Sequence, residues 1–200
     1  MNKILNCFFT FLFFLVFNAN ANANAQPYLI ENYNSEPISM DSYNNINFYN
    51  KDYNKNYPTF LSTNPIQGIH NITVRIIDNG CFKSNIEVLK LNANKEIIHR
   101  NINFNRNENP NPLSVLYCLG GTSAGPTYFL IKDENTILFQ TNFGIAVYNI
   151  TNNSKKYLPL ILSNQEQLAS NLYMMLKDGI LYLKLSNSVE HSPYYKITFK

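Results

Sequence analysis

From Ile69 onward, short apolar runs alternate with turn residues. Ile72, Val74 and Ile76 fall on one side of a period-two pattern, with Thr73 and Arg75 opposite, which predicts a half-buried strand. Asn79-Gly80 follows as a turn signal. Ile86–Leu91 and Ile97–Phe104 predict the next two strands, and Asn105–Pro112 a polar, proline-containing loop before Leu113, Val115 and Tyr117. Between Tyr128 and Leu162 the pattern is clearest. Four apolar runs begin at Tyr128, Ile137, Ile145 and Tyr157, separated by Lys132–Asn135, Asn142–Gly144 and Thr151–Ser154. Connections this short join antiparallel neighbours, because parallel pairing needs a crossover. The region is therefore predicted to be a four-stranded meander.

Residues 163–177 carry two signals. Ser163 and Glu166 fit a helix capping box, and Leu168, Leu172, Met175 and Leu176 recur at helical spacing. Asp178-Gly179, set between Leu172–Lys177 and Ile180–Leu185, is instead a hairpin signature. We favour the hairpin, with a helical turn near Gln165. Tyr195, Ile197 and Phe199 alternate with Lys196 and Thr198 in a last strand. The fold class that follows is all-β and mostly antiparallel: a β-sandwich or partly open barrel built from a meander of short strands, with at most one short helix. One propeller blade would look similar, but the chain lacks a repeated signature.

The N-terminus changes the picture. Lys3 precedes a nearly wholly apolar run from Ile4 to Phe17, and Ala23-Asn24-Ala25 offers a small-x-small cleavage site. This is the three-part pattern of a secretory signal peptide. The run is shorter than the roughly 20 residues of a spanning helix. The expected organisation is a signal peptide over 1–25, an Asn/Tyr-rich extended or poorly ordered arm over 26–66, and a β domain over 67–200. The mature form is expected to be exported to the periplasm or the extracellular space and not to span a membrane.

Cys7 would leave with the signal, so Cys81 and Cys118 remain. An oxidising compartment favours a disulfide between them. Closing that loop would stabilise by about 3–4 kcal/mol in the loop-entropy model. The formal charge of +3 comes from scattered Lys and Arg. Nucleic-acid binding wants a concentrated basic footprint, so none is expected. The asparagine excess looks like codon bias. Asn71, Asn149 and Asn152 each begin an N-glycosylation sequon.

Candidate chemistry is sparse. Gly121-Thr122-Ser123-Ala124-Gly125 fits the G-x-S-x-G nucleophile elbow. It resembles the G-T-S-A-G serine motif of patatin-like lipases. That resemblance implies Ser123 as nucleophile, with an aspartate such as Asp133 or Asp178 as its partner. In an α/β-hydrolase arrangement the order Ser123, Asp178, His191 is also permitted. An elbow needs a helix after the serine, whereas Pro126 and an apolar β run follow here. The expected structure here is a Gly-rich loop joining two strands. His70, His99 and His191 lack metal-ligand spacing. No cofactor or metal is expected, and Glu87, Glu96 and Glu108 read as solvated charges. Phe129, Phe139, Phe143 and Tyr148 are expected in the core. The arm tyrosines, Tyr194 and Tyr195 could line a contact, with core packing the preferred reading.

The functional expectation is an exported β protein acting by binding to an unknown protein or glycan, for example as an inhibitor-type interaction protein. The alternatives are a small secreted serine hydrolase using Ser123 and a glycan-binding surface module. An exposed aromatic pair beside an unpaired strand edge would favour the first.

Overall fold

The computed structural model describes residues 33–48, 57–80, 83–105, 108, 125–141, 144–158, 172–185 and 194–200. Among them, every strand pair is antiparallel. In chain order the elements are β1 (Tyr33–Ile38), α1 (Met40–Asn44), β2 (Thr59–Phe60), β3 (Ile66–Gln67), β4 (Ile72–Asn79), β5 (Lys83–Leu91) and β6 (Ile97–Asn105). Then come β7 (Tyr128–Asp133), β8 (Thr136–Thr141), β9 (Gly144–Asn149), β10 (Ser154–Tyr157), β11 (Leu172–Lys177), β12 (Ile180–Leu185) and β13 (Tyr194–Phe199). They form three sheets, ordered β3-β4-β5-β6, β10-β9-β8-β7-β2 and β1-β13-β12-β11.

The β7–β10 sheet is the middle layer. Phe129, Ile131, Ile137, Phe139, Ala146 and Tyr148 bury one of its faces against Ile72, Val74, Ile86, Val88, Ile102 and Phe104 of the β4 sheet. Leu130, Leu138 and Ile145 bury the opposite face against Met174, Leu176, Leu181, Leu183 and Ile197 of the β12 sheet. Successive side chains on a strand point to opposite faces. A strand between two sheets must therefore be apolar at every position, as Phe129-Leu130-Ile131 and Ile137-Leu138-Phe139 are. The β4 sheet buries one face in its interface and keeps the alternation, as in Ile72-Thr73-Val74.

The predicted meander is present, with β10 occupying Ser154–Tyr157 rather than starting at Tyr157. Asn149 Oδ1 accepts from the N–H groups of Thr151 and Asn152, and Asn153 adopts φ 53°. The turn closes on these contacts and lets pairing resume at Ser154. The Asp178-Gly179 hairpin is also present. Both residues have positive φ, 51° and 76°, the type I′ geometry that matches strand twist. Residues 163–171, including the predicted helical turn, lie outside the described residues.

The segment read as an arm holds more than extended chain. Its described residues supply β1, β2 and one of the two residues of β3, so they join all three sheets. Between β2 and β3 the chain crosses from the central sheet to the β4 sheet. Leu61 N–H donates to the Thr127 carbonyl on one side, and Ile76 N–H donates to the Ser62 carbonyl on the other, both at 2.9 Å. α1 is capped by the Ser39 side chain, which accepts from Ser42 N–H. It carries Tyr43 onto the far face of the β12 sheet, where Tyr43 meets Tyr194 at 4.7 Å and Phe48 meets Tyr182 at 5.6 Å. Burial foremost, with Tyr194 and Tyr57 nearby, pushes the Tyr43 hydroxyl up to about 12. Tyr43 and Tyr194 thus pack in the interior. So do Phe129, Phe139 and Tyr148; Phe143 lies outside the described residues.

Candidate functional site

Two large aromatic side chains stay in solvent at one corner of the central sheet. Phe60 on β2 is 60% exposed and Tyr128 on β7 is 37% exposed. They are cross-strand partners, with ring centroids 5.5 Å apart and planes at 74°. This edge-to-face arrangement suits the ring quadrupoles. Their neighbours fix them. Leu61 and Phe129 are buried, and Thr127 N–H donates to the Gln140 carbonyl at 2.9 Å. By strand alternation Tyr128 shares the face of Leu130, the face covered by the β12 sheet. At the β2 corner no strand of the described residues covers that face, and β2 is an edge strand of only two residues.

The pair thus forms a small apolar shelf beside buried, hydrogen-bonded neighbours. A Phe side chain carries about 200 Å² of surface. Burying the exposed share of Phe60 would release about 3 kcal/mol at 25 cal/mol/Å², before the ordering costs of association. Such a shelf can stack on an apolar side chain, a peptide or the apolar face of a sugar ring.

A polar cluster lies on the outer face of the β4 sheet. Arg75 Nε donates to Glu87 Oε2, and His99 Nε2 lies 3.0 Å from Glu87 Oε1. The Arg75 hydrogen bond outweighs burial of Glu87 and, with the charge of Arg75 and contact to His99, holds this carboxyl below the usual carboxylate range. Glu87 is therefore not the solvated charge expected from sequence: its side chain is 12% exposed and paired on both oxygens. Glu108 departs from expectation likewise. It is 17% exposed and ion-paired to Lys155, and Tyr157 hydroxyl donates to it at 3.4 Å. Lys155 reaches from β10 to the Asn103 carbonyl of β6 and lies 4.3 Å from the Phe104 ring centroid. It ties the central sheet to the β4 sheet. Each carboxylate sits opposite a cation contributed by another strand, which spacing along one strand does not reveal. Glu96 stays on the surface, its N–H donating to Asn92 Oδ1 in the β5–β6 turn.

Ser123, His191, Cys81 and Cys118 lie outside the described residues. Asp178 is exposed in its hairpin turn, and that turn accounts for the residue. Burial would raise the Asp133 carboxyl. Hydrogen bonds from Lys132, Asn135 N–H and Thr136 outweigh it and hold Asp133 below its ordinary value. Lys132 and Asn135 engage one Asp133 oxygen each and close the β7–β8 turn. Gly125 ends the Gly-rich motif against Ser84 and Asn79, where a Cβ would overlap both side chains. Close packing accounts for that glycine. His70 sits at φ 57° before β4.

Among the described residues no group of three or more His, Cys, Asp or Glu could hold a metal ion, and no helix is long and apolar enough to cross a membrane. Comparison with protein families, with curated proteins and with solved structures finds no match for this chain.

Proposed function

We propose that this chain is an exported β protein that acts by binding a macromolecular partner, with the Phe60–Tyr128 shelf as the contact. One observation carries the reading: two aromatic residues, paired across strands and set edge-to-face, are exposed at an edge of the central sheet. Aromatic side chains offer a large contact area at low entropy cost and dominate interface energetics. The signal-peptide pattern over residues 1–25 supports a partner in the periplasm or outside the cell.

The test places a photo-reactive phenylalanine analogue at position 60 and, as control, at Ile97, which is 68% exposed on β6. Cross-linking to one discrete species from position 60, abolished by Tyr128→Ala and absent from position 97, supports the proposal. Equal or indiscriminate cross-linking from both positions sinks it. A glycan rather than a protein on the captured species would move the chain to the glycan-binding class.

A further inference from the structure

We infer that β11 is the edge through which two copies of this chain pair, joining their β12 sheets into one continuous antiparallel sheet. An unpaired edge is a template for strand addition, and proteins guard such edges with charge, proline, short length or blocked carbonyls. The other described edges carry such guards. β2 and β3 have two residues each. β1 contains Glu36 and Pro37, and Pro37 has no N–H to donate. β10 has four residues, two of them lysines. On β6, Arg100 Nη1 donates to the His99 carbonyl at 3.3 Å and Lys155 to the Asn103 carbonyl. β11 has six residues, Leu-Tyr-Met-Met-Leu-Lys, with no proline and a single charge at its end. Among the described residues, no strand pairs with it on the side away from β12.

The hairpin fixes which backbone groups β11 offers. In a two-residue type I′ hairpin, the residues flanking the loop exchange hydrogen bonds. Here these are Lys177 and Ile180. Alternation then directs the backbone groups of Lys177, Met175 and Tyr173 toward β12, and those of Leu172, Met174 and Leu176 outward. A two-fold axis through Met174 sets Met174 opposite its own copy and Leu172 opposite Leu176 of the second copy. Every outward N–H and C=O then finds a partner, giving about six backbone hydrogen bonds. Lys177 falls outside the paired stretch, so no like charges oppose. The register also keeps each face of one sheet aligned with the same face of the other, as a two-fold axis normal to the sheet requires.

The test is solution mass across a dilution series, read with amide exchange. The wild-type mass should rise with concentration toward roughly twice that of one chain, and the Leu172, Met174 and Leu176 amides should slow in parallel. In this register position 173 is the cross-strand partner of position 175 in the second copy. The Tyr173→Lys/Met175→Lys variant therefore opposes lysines at both ends and should be monomeric. Tyr173→Lys/Met175→Glu opposes unlike charges and should recover the dimer, which separates lost pairing from lost folding. A wild type that stays monomeric with concentration-independent exchange at those amides overturns the inference. So does a dimer that both variants form equally well.

Discussion

Replacing Leu138 and Phe139 separately by alanine probes the layering directly. The two residues are adjacent on β8 and both fully buried, Leu138 among the side chains of the β12 sheet and Phe139 among those of the β4 sheet. Phe139 also meets Phe104 edge-on, with centroids 5.4 Å apart and planes at 73°. Truncating a buried leucine costs about 2–5 kcal/mol, and a buried phenylalanine about 3–5 kcal/mol, because the cavity adds to the lost transfer energy. Both variants should fall in those ranges, with Phe139→Ala the costlier because the Phe104 contact goes too. In a two-layer sandwich one of two neighbouring residues would face water, and its alanine variant would stay within about 0.5 kcal/mol of wild type. Urea unfolding monitored by circular dichroism gives both costs from the midpoints, provided the denaturant slopes are unchanged. A small cost at either position, with the other large, would refute the central placement of β8.

Two further outcomes follow from local geometry. Glu87 has a depressed folded-state carboxyl pKa, so its stabilisation is complete above the unfolded value and is lost as pH falls through the folded one. Stability should decline as pH drops below the ordinary carboxyl value of 4.5, and Glu87→Gln should flatten part of that slope in pH-resolved unfolding. Asp133, shifted in the same direction, would leave the remainder; an unchanged slope in the variant contradicts the pairing. At Gly179, φ is 76° with nothing within 4 Å of an added Cβ, so Gly179→Ala should cost only the left-handed backbone strain of about 1–2 kcal/mol. At Gly125 the added methyl meets Ser84 and Asn79 instead, an overpacking cost of about 1–3 kcal/mol. A Ser84→Gly change removes the two nearest atoms, so it should relieve the second and leave the first untouched, and equal rescue of both variants would contradict the assignment.

Strands whose order comes from local signals were readable from the chain. Alternation at Ile72–Ile76 and Tyr195–Phe199 and the Asp178-Gly179 turn each contain the information that builds their element. β1, β2 and β3 were not readable as three strands. Tyr33–Ile38 has four exposed residues between half-buried ends, so no period marks it, and its strand character comes from β13. The third layer did leave a trace. Phe129-Leu130-Ile131 and Ile137-Leu138-Phe139 are apolar on both parities, as strands buried on both faces must be. The candidate site was the least legible. Phe60 lies in an Asn/Tyr-rich stretch, and its role depends on Tyr128, far along the chain. Glu87 and Glu108 looked like solvated charges because the cations that pair them come from other strands. Many asparagines act as turn-formers here: Asn92, Asn149 and Asn153 each accept a hydrogen bond at or next to a turn. That gives part of the asparagine excess a structural use.

The most direct test of the binding account is position-specific cross-linking from residue 60 on the full chain, with the Tyr128→Ala background alongside. The account predicts one discrete adduct that depends on Tyr128 and is missing when the probe sits at Ile97. No adduct from position 60, or the same adducts from both positions, would contradict it.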